Sequence, residues 1–326
     1  MRAMILAAGY GTRLWPLTED RTKPAIPFLG RPLVGYVAEY LARHGFRDVV
    51  VNLHHRPESV RASLGDGSRF GVRLEYVEEP VILGTSGALD NARHLLEGDT
   101  FVVINGKIVT DIDLTEALAA HKSSGALATL VLRPNPLRER FSVVETRDRL
   151  VTGFGGMPES DNAPEGDVPL MFTGIQILEP RIFSHIPRGV FSHSTTDVYP
   201  QAIRAGESIL AHVAEGRWYE LSTIGRYLEI SLALLKESGR DTDLAEGCVV
   251  SDEAEVRDSL LWNEVRVEGG ARVRRAVLGD GVRVPRGEVI EDAAVVRADL
   301  VLDREPPAKA LKGEFRGDNF VVPLRQ

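Results

Sequence analysis

The chain opens on a short apolar run, Met4 to Ala8, which breaks into Gly9-Tyr10-Gly11. An apolar run of this length, closed by glycine, suits one buried strand. Leu33, Val37, Tyr40 and Leu41 then recur at helical spacing, and Gly45 stands where a helix stops. Asp48 to Leu53 predicts a second buried strand. Strand, helix and strand in this order make a βαβ unit, so a parallel sheet is expected. Leu89, Ala92, Leu95 and Leu96 predict one helix, capped at Thr85 or Ser86. Phe101 to Ile104, Ala126 to Leu132 and Leu170 to Leu178 read as further strands, and a helix is expected from near Leu114. Phe141 to Phe154 reads as a hairpin around Arg147-Asp148, and Ser160 to Val168, polar and acidic, as a flexible surface loop.

The period changes in the last quarter of the chain. Val250, Val256, Leu261, Val267, Val273, Leu278, Val284, Ile290, Val295 and Val301 are separated by steps of 6, 5 and 6 residues, repeating every 17. Val250, Val267, Val284 and Val301 fall in one column. Three inward residues per 17-residue turn describe a short three-sided parallel β-helix of about three coils. An amphipathic helix needs steps of 3 and 4, so it is excluded. The expected fold is α/β: a Rossmann-like, mostly parallel sheet in residues 1–240, then a short left-handed parallel β-helix in residues 247–326.

Composition narrows the function. With 326 residues, 43% hydrophobic and 26% charged, the chain has room for one large domain and a smaller one. A net charge of −8 argues against a broad nucleic-acid surface but allows a local cationic pocket. The single cysteine, Cys248, rules out an intrachain disulfide and suits a reducing cytosol. No apolar run approaches the ~20 residues of a membrane span. A cytoplasmic location away from membranes is expected.

The candidate chemistry lies at the first strand end. Gly9 and Gly11 let the backbone turn sharply and bring N–H groups to an anion. Arg13 adds a planar charged fork suited to phosphate oxygens, and Lys23 supplies a second cation between Thr22 and the stiffening Pro24 and Pro27. Leu14 stands where the third glycine of a dinucleotide fingerprint belongs, and no Walker-type lysine follows. The full string, Leu6-Ala7-Ala8-Gly9-Tyr10-Gly11-Thr12-Arg13-Leu14-Trp15-Pro16-Leu17-Thr18 followed by Lys23-Pro24-Ala25-Ile26-Pro27, resembles the signature of the sugar-1-phosphate nucleotidyltransferases.

That resemblance extends to about residue 235 and implies residue roles. Arg13 and Lys23 would be catalytic. Leu6, Ala7, Ala8, Gly9, Gly11, Thr12, Gly84, Thr85, Gly87, Asn105 and Gly106 would hold the nucleotide, and Glu145, Thr173 and Gly174 the sugar. The segment Leu83-Gly84-Thr85-Ser86-Gly87-Ala88 is closest to the mannose-1-phosphate guanylyltransferase branch, pointing to GTP and mannose 1-phosphate as substrates. Magnesium is the implied cofactor, and the β-helix implies a homo-oligomer.

Three positions depart from the family pattern. Relatives carry an aspartate metal ligand where this chain has Lys107, and an ammonium repels a divalent cation. Asp111 is a candidate replacement, although Asp111 and Asp113 equally suit a solvent-facing turn or a helix cap. Glu220 stands at the second metal position, one methylene longer than the usual aspartate. Gly155-Gly156-Met157-Pro158 replaces the usual Glu-Lys-Pro, so the lysine for the sugar phosphate is missing. A paralogue that binds nucleotide without turning it over is therefore the alternative function. An acyltransferase is disfavoured, because all eight histidines lie between His44 and His212, before the β-helix. His54 and His55 read as loop residues rather than metal ligands.

Overall fold

The computed structural model describes residues 1–139, 141, 143–155 and 168–324. The expected loop from Ser160 lies outside the described residues up to Val168. Two compact units emerge. One comprises Met1–Gly9, Val34–Pro57 and Leu64–Trp218; the other comprises Tyr10–Leu33, Glu58–Ser63 and Tyr219–Gln326.

The first unit is built on a nine-stranded sheet. Its strands are β1 (Ala3–Leu6), β2 (Asp48–Leu53), β3 (Arg73–Glu78), β4 (Phe101–Asn105), β5 (Ala128–Pro134), β6 (Val143–Arg147), β7 (Leu150–Gly155), β8 (Leu170–Leu178) and β9 (Ile209–Val213), in spatial order β3-β2-β1-β4-β8-β5-β9-β7-β6. The strands β3, β2, β1 and β4 run parallel, with Met4 opposite both Val50 and Val103. β8 enters antiparallel between β4 and β5, and β9 is parallel to β5. The central strands are apolar at successive positions because helices cover both faces. Helix α1 (Leu33–Arg43) supplies one such face with Val34, Val37, Ala38, Tyr40 and Leu41 fully buried, and Gly45 takes the left-handed conformation beyond its end. The β6–β7 hairpin turns at Asp148 and Arg149, both with positive φ, the geometry that matches strand twist.

Two expectations about helices need correction. The single helix expected through Leu96 is broken at Ala92 into α2 (Gly84–Asn91) and a short turn, Arg93–Leu96. Neither Thr85 nor Ser86 caps it. Leu83 is the N-cap residue, and both hydroxyls lie inside the first turn, turned toward Ser194. The helix expected near Leu114 is α3 (Leu114–Ser124), and Asp113 caps it by accepting from the Thr115 N–H at 2.7 Å.

In the second unit the 17-residue period is realised as stacked coils. Val250 pairs with Val267 and Val267 with Val284; Val256 stacks on Val273 and Ile290; Leu261 stacks on Leu278 and Val295. The corners repeat with the same period. Gly247, Glu264 and Gly281 are left-handed, as are Asp258, Arg275 and Asp292. The column ends early. Val301 is buried but follows a 3₁₀ turn, Ala298–Leu300, and the chain returns as Asn319–Pro323 to pair antiparallel with Val289–Arg297. That strand pairs with Ala293–Arg297 of the last coil, and Glu314–Arg316 pairs on its outer side in turn.

The stretch Tyr10–Leu33 belongs to this same unit. Arg21 reaches Asp280 at 2.5 Å with its guanidinium over the Trp262 ring, and Trp15 meets Phe320 edge-on at 5.5 Å. Helix α4 (Ile224–Glu237) adds Tyr227, whose hydroxyl donates to the Pro27 carbonyl and accepts from Trp262 Nε1.

Candidate functional site

The carboxyl end of β1 brings several predicted residues together. Ala7 and Ala8 are buried, and Gly9 is exposed. The Gly106 N–H donates to the Leu6 carbonyl at 2.9 Å, and a Cβ on Gly106 would stand 3.0 Å from both that oxygen and Ile5 Cγ2. A side chain at Gly106 would thus be crowded by the close approach of two strand ends. Asn105 and Gly174 meet in the same way: Gly174 has φ +81°, and a Cβ there would stand 2.1 Å from Asn105 Nδ2. Gly174 sits in a bulge of β8, between Phe172 and Ile175. Thr173 holds that bulge through its hydroxyl to the Val131 carbonyl, and Trp218 Nε1 donates to the Thr173 carbonyl at 2.9 Å.

The glycine segment that opens α2 is fixed by Val190 to Ser194. Gly84 is left-handed, and a Cβ on it would stand 2.5 Å from the Ser192 carbonyl; one on Gly87 would stand 2.6 Å from the Val190 carbonyl. The Ser86 N–H donates to Ser192, and Thr85 Oγ1 accepts from the Ser194 N–H. Two buried residues missed in the sequence connect this segment to β1. Asn52 accepts from the Ala7 N–H at 2.7 Å and donates to Glu79, which accepts from the Leu83 N–H at 2.9 Å. Burial pushes the Glu79 carboxyl up, and its hydrogen bonds from Asn52 and Leu83 offset this only in part. Motif spacing carries no sign of this pair, because their partners are 45 and 27 positions apart.

In the second unit, Gly11 has φ +68°, with Lys23 and Thr18 packed against it, and Thr12 begins a 3₁₀ turn. Arg13 is exposed and has no hydrogen bond or ion pair among the described residues. Lys23 is buried at 8% exposure on a rigid turn next to Pro24. An open guanidinium and a buried ammonium, both on stiff backbone, are suited to phosphate oxygens.

The remaining candidates are placed differently. Glu145 lies across its own hairpin, its carboxylate against Gly153 and Gly155. Asp111 is engaged at both oxygens: Oδ1 accepts from the Arg217 N–H at 2.5 Å and Oδ2 from Arg217 Nε at 2.7 Å. Burial alone would raise its pKa, but Arg217 outweighs this and holds it low. Glu220 is buried, and Lys107 is half-buried in the turn after β4. Among the described residues no group of three or more His, Cys, Asp or Glu side chains is placed to hold a metal ion. Asp111 is committed to Arg217, and the ammonium of Lys107 is no ligand for a cation. His54 Nδ1 bonds the Glu79 carbonyl at 2.8 Å. No helix among the described residues is long and apolar enough to cross a membrane.

Comparison with known proteins agrees with this geometry. The nucleotidyl transferase family profile matches residues 2–237, and a GlmU-like C-terminal hexapeptide profile matches residues 236–304. The chain is 29% identical to a UTP–glucose-1-phosphate uridylyltransferase of Synechocystis, over 93% of this chain and 81% of that protein. It is 30% identical to a mannose-1-phosphate guanylyltransferase of Mycobacterium tuberculosis, over 89% and 82%. It is 34% identical to an N-acetylmuramate alpha-1-phosphate uridylyltransferase of Neisseria meningitidis, over 70% and 96%. A Bacillus anthracis structure named as a glucose-1-phosphate thymidylyltransferase shares the fold, with a TM-score of 0.63 at 24% identity, over 73% of this chain and 96% of that one. With a strand-end glycine loop, a bulged β8 beside it and a family match across more than two hundred residues, this chain belongs to the nucleotidyl transferase family, among relatives that are sugar-1-phosphate nucleotidyltransferases.

Proposed function

We propose that the chain joins a hexose 1-phosphate to a nucleoside triphosphate, with GTP and mannose 1-phosphate as the preferred pair. The observation that carries this reading is Arg13, exposed and unpaired on the glycine loop of a family member. An oxygen of the sugar phosphate bonds to the α-phosphorus, the bond from that phosphorus to the β-bridging oxygen breaks, and pyrophosphate leaves with the electron pair. The attacking oxygen is already charged, so no general base is needed. Both reactants are anions, and positioning with charge neutralisation does the catalysis. Arg13 neutralises the leaving pyrophosphate, and Lys23 the phosphates being joined. Backbone groups from Leu6 to Thr12, with Gly84, Thr85, Gly87, Asn105 and Gly106, frame the nucleotide; Thr173, Gly174 and Glu145 address the sugar.

The magnesium implied by the family resemblance finds no matching ligand set here, since Lys107 replaces a carboxylate and Asp111 is committed to Arg217. Glu220 is the carboxylate that the family resemblance assigns to a cation arriving with the triphosphate. Residues 1–240 carry the chemistry in this reading. Residues 247–326 serve self-association in a reducing cytoplasm, a role favoured by the hexapeptide match and the exposed Leu244 and Val249 of the first coil.

Pyrophosphate release decides the matter. The protein is incubated with each triphosphate in turn, with mannose or glucose 1-phosphate, with and without magnesium. Release that is fastest with GTP and mannose 1-phosphate supports the reading. A second reading, nucleotide binding without turnover, is favoured by Lys107 and Asp111. It predicts saturable binding by calorimetry and no pyrophosphate.

A further inference from the structure

Asn52 and Glu79 contact none of the reacting atoms in the mechanism above, yet each is only 3% exposed. Burying an ionisable carboxyl is costly unless its hydrogen bonds are made. Here the two outer bonds go to loop ends and the middle one joins the pair. The Ala7 N–H donates to Asn52 Oδ1 at 2.7 Å, Asn52 Nδ2 donates to Glu79 Oε1 at 2.5 Å, and the Leu83 N–H donates to Glu79 Oε2 at 2.9 Å. The Glu79 backbone is itself fixed, its N–H donating to the Leu53 carbonyl at 2.7 Å and its carbonyl bonded by His54 Nδ1. Ala7 belongs to the glycine loop after β1, and Leu83 immediately precedes Gly84.

We propose that Asn52 and Glu79 are positioning residues that lock the glycine loop to the Gly84 segment, setting the separation at which the two ends of one nucleotide are met. The proposal rests on the nucleotide-binding reading of those loops. Its chemistry is restrictive. Both loop amides donate inward, so the pair must present an acceptor at each end and one donor between them. Asparagine followed by glutamate does this. Glu79→Gln removes one acceptor and sets two donors against each other. Asn52→Asp sets two carboxylates against each other. The double variant Asn52→Asp, Glu79→Gln restores all three bonds with the middle one reversed: the aspartate accepts from Ala7 and from the glutamine amide, and the glutamine carbonyl accepts from Leu83.

The test uses the full chain in four forms: unaltered, each single variant, and the double. Amide hydrogen exchange at Ala7 and Leu83 is followed without nucleotide, and GTP affinity is measured by calorimetry. Asn52→Asp should accelerate exchange at Leu83, which Asn52 does not touch, and Glu79→Gln should do so at Ala7. Each single variant should weaken GTP binding by about tenfold, the effect of one lost charged hydrogen bond. The double should recover both readouts to near the unaltered values. A double variant as impaired as the two singles combined overturns the relay, as do singles with unchanged affinity. If the unaltered protein binds no triphosphate, the nucleotide reading falls. The exchange arm then decides the relay alone, and absence of a cross-loop effect at Leu83 overturns it.

Discussion

Gly9 and Gly11 read alike as a Gly-x-Gly pair, and their alanine variants should fail in opposite ways. Gly11 has φ +68°, where an L-residue costs roughly 1–2 kcal/mol. A Cβ there would also stand 3.0 Å from Lys23 Cβ, 3.2 Å from Lys23 N and 3.4 Å from Thr18 Cγ2. Two of these contacts are tighter than normal packing, and one is to backbone that cannot swing aside. Thr18 also donates its hydroxyl to the Gly11 carbonyl, so a shift of Gly11 disturbs that bond. Gly11→Ala should therefore cost about 2–3 kcal/mol in all, counting strain and displaced neighbours. At about 2–4 °C per kcal/mol for a unit of this size, the melting temperature should fall by several degrees. Gly9 has no such constraint: its φ is not positive, and a Cβ on it meets nothing within 4 Å. Gly9→Ala should hold the melting temperature or raise it slightly, through lost freedom of the unfolded chain. Its methyl would stand on exposed loop backbone where the proposed phosphates approach, so GTP affinity should drop by about tenfold. Differential scanning calorimetry and titration calorimetry on both variants separate the two effects. Early melting of Gly9→Ala, or GTP affinity unchanged by it, would refute this account of the loop.

Four further outcomes are expected. Arg13→Ala and Lys23→Ala should each weaken triphosphate binding by about 1.5–3 kcal/mol, the scale of charged hydrogen bonds, as read by calorimetry. In the β-helix, Ile290 is 1% exposed and its neighbour Val289 44%, so Ile290→Ala should cost about 2–5 kcal/mol in urea denaturation and Val289→Ala far less; equal effects would contradict the coil register. Burial lowers the His121 pKa below its ordinary 6.5, and its bond to Glu179 opposes this without reversing it. The unfolded chain then takes the proton first, so this contribution is present above pH 6.5 and is lost as pH falls below it. The urea midpoint should drop over that window in the unaltered protein, and His121→Gln should flatten the drop. Finally, Lys107→Asp should make triphosphate binding depend on magnesium and raise pyrophosphate release. Strict magnesium dependence with rapid turnover in the unaltered protein would show that Lys107 does not stand in for a metal contact.

The β-helix was legible in the sequence because its geometry is periodic. Each coil takes 17 residues, so Val250, Val267 and Val284 announce their stacking from spacing alone. The same holds for β1, α1 and β2, whose apolar patterns match the periods of strand and helix. The glycine loop was legible as a motif, since close backbone approach restricts residue type. What the sequence withheld depends on separation along the chain. Asn52 and Glu79 acquire a role only when β1, β2 and β3 lie side by side and their ends converge. Asp111 meets an arginine 106 positions away, and Arg21 an aspartate 259 positions away. Left-handed corners at Asp258, Arg275 and Asp292 carry no glycine to mark them; the stacked coils hold those residues there. Gly9 and Gly11 differ only through what surrounds them. Local pattern determines which segments are strands, helices or coils, because that choice is settled by period and by nearest neighbours. Which side chain answers which is decided by packing, because it depends on contacts between residues that the chain itself keeps far apart.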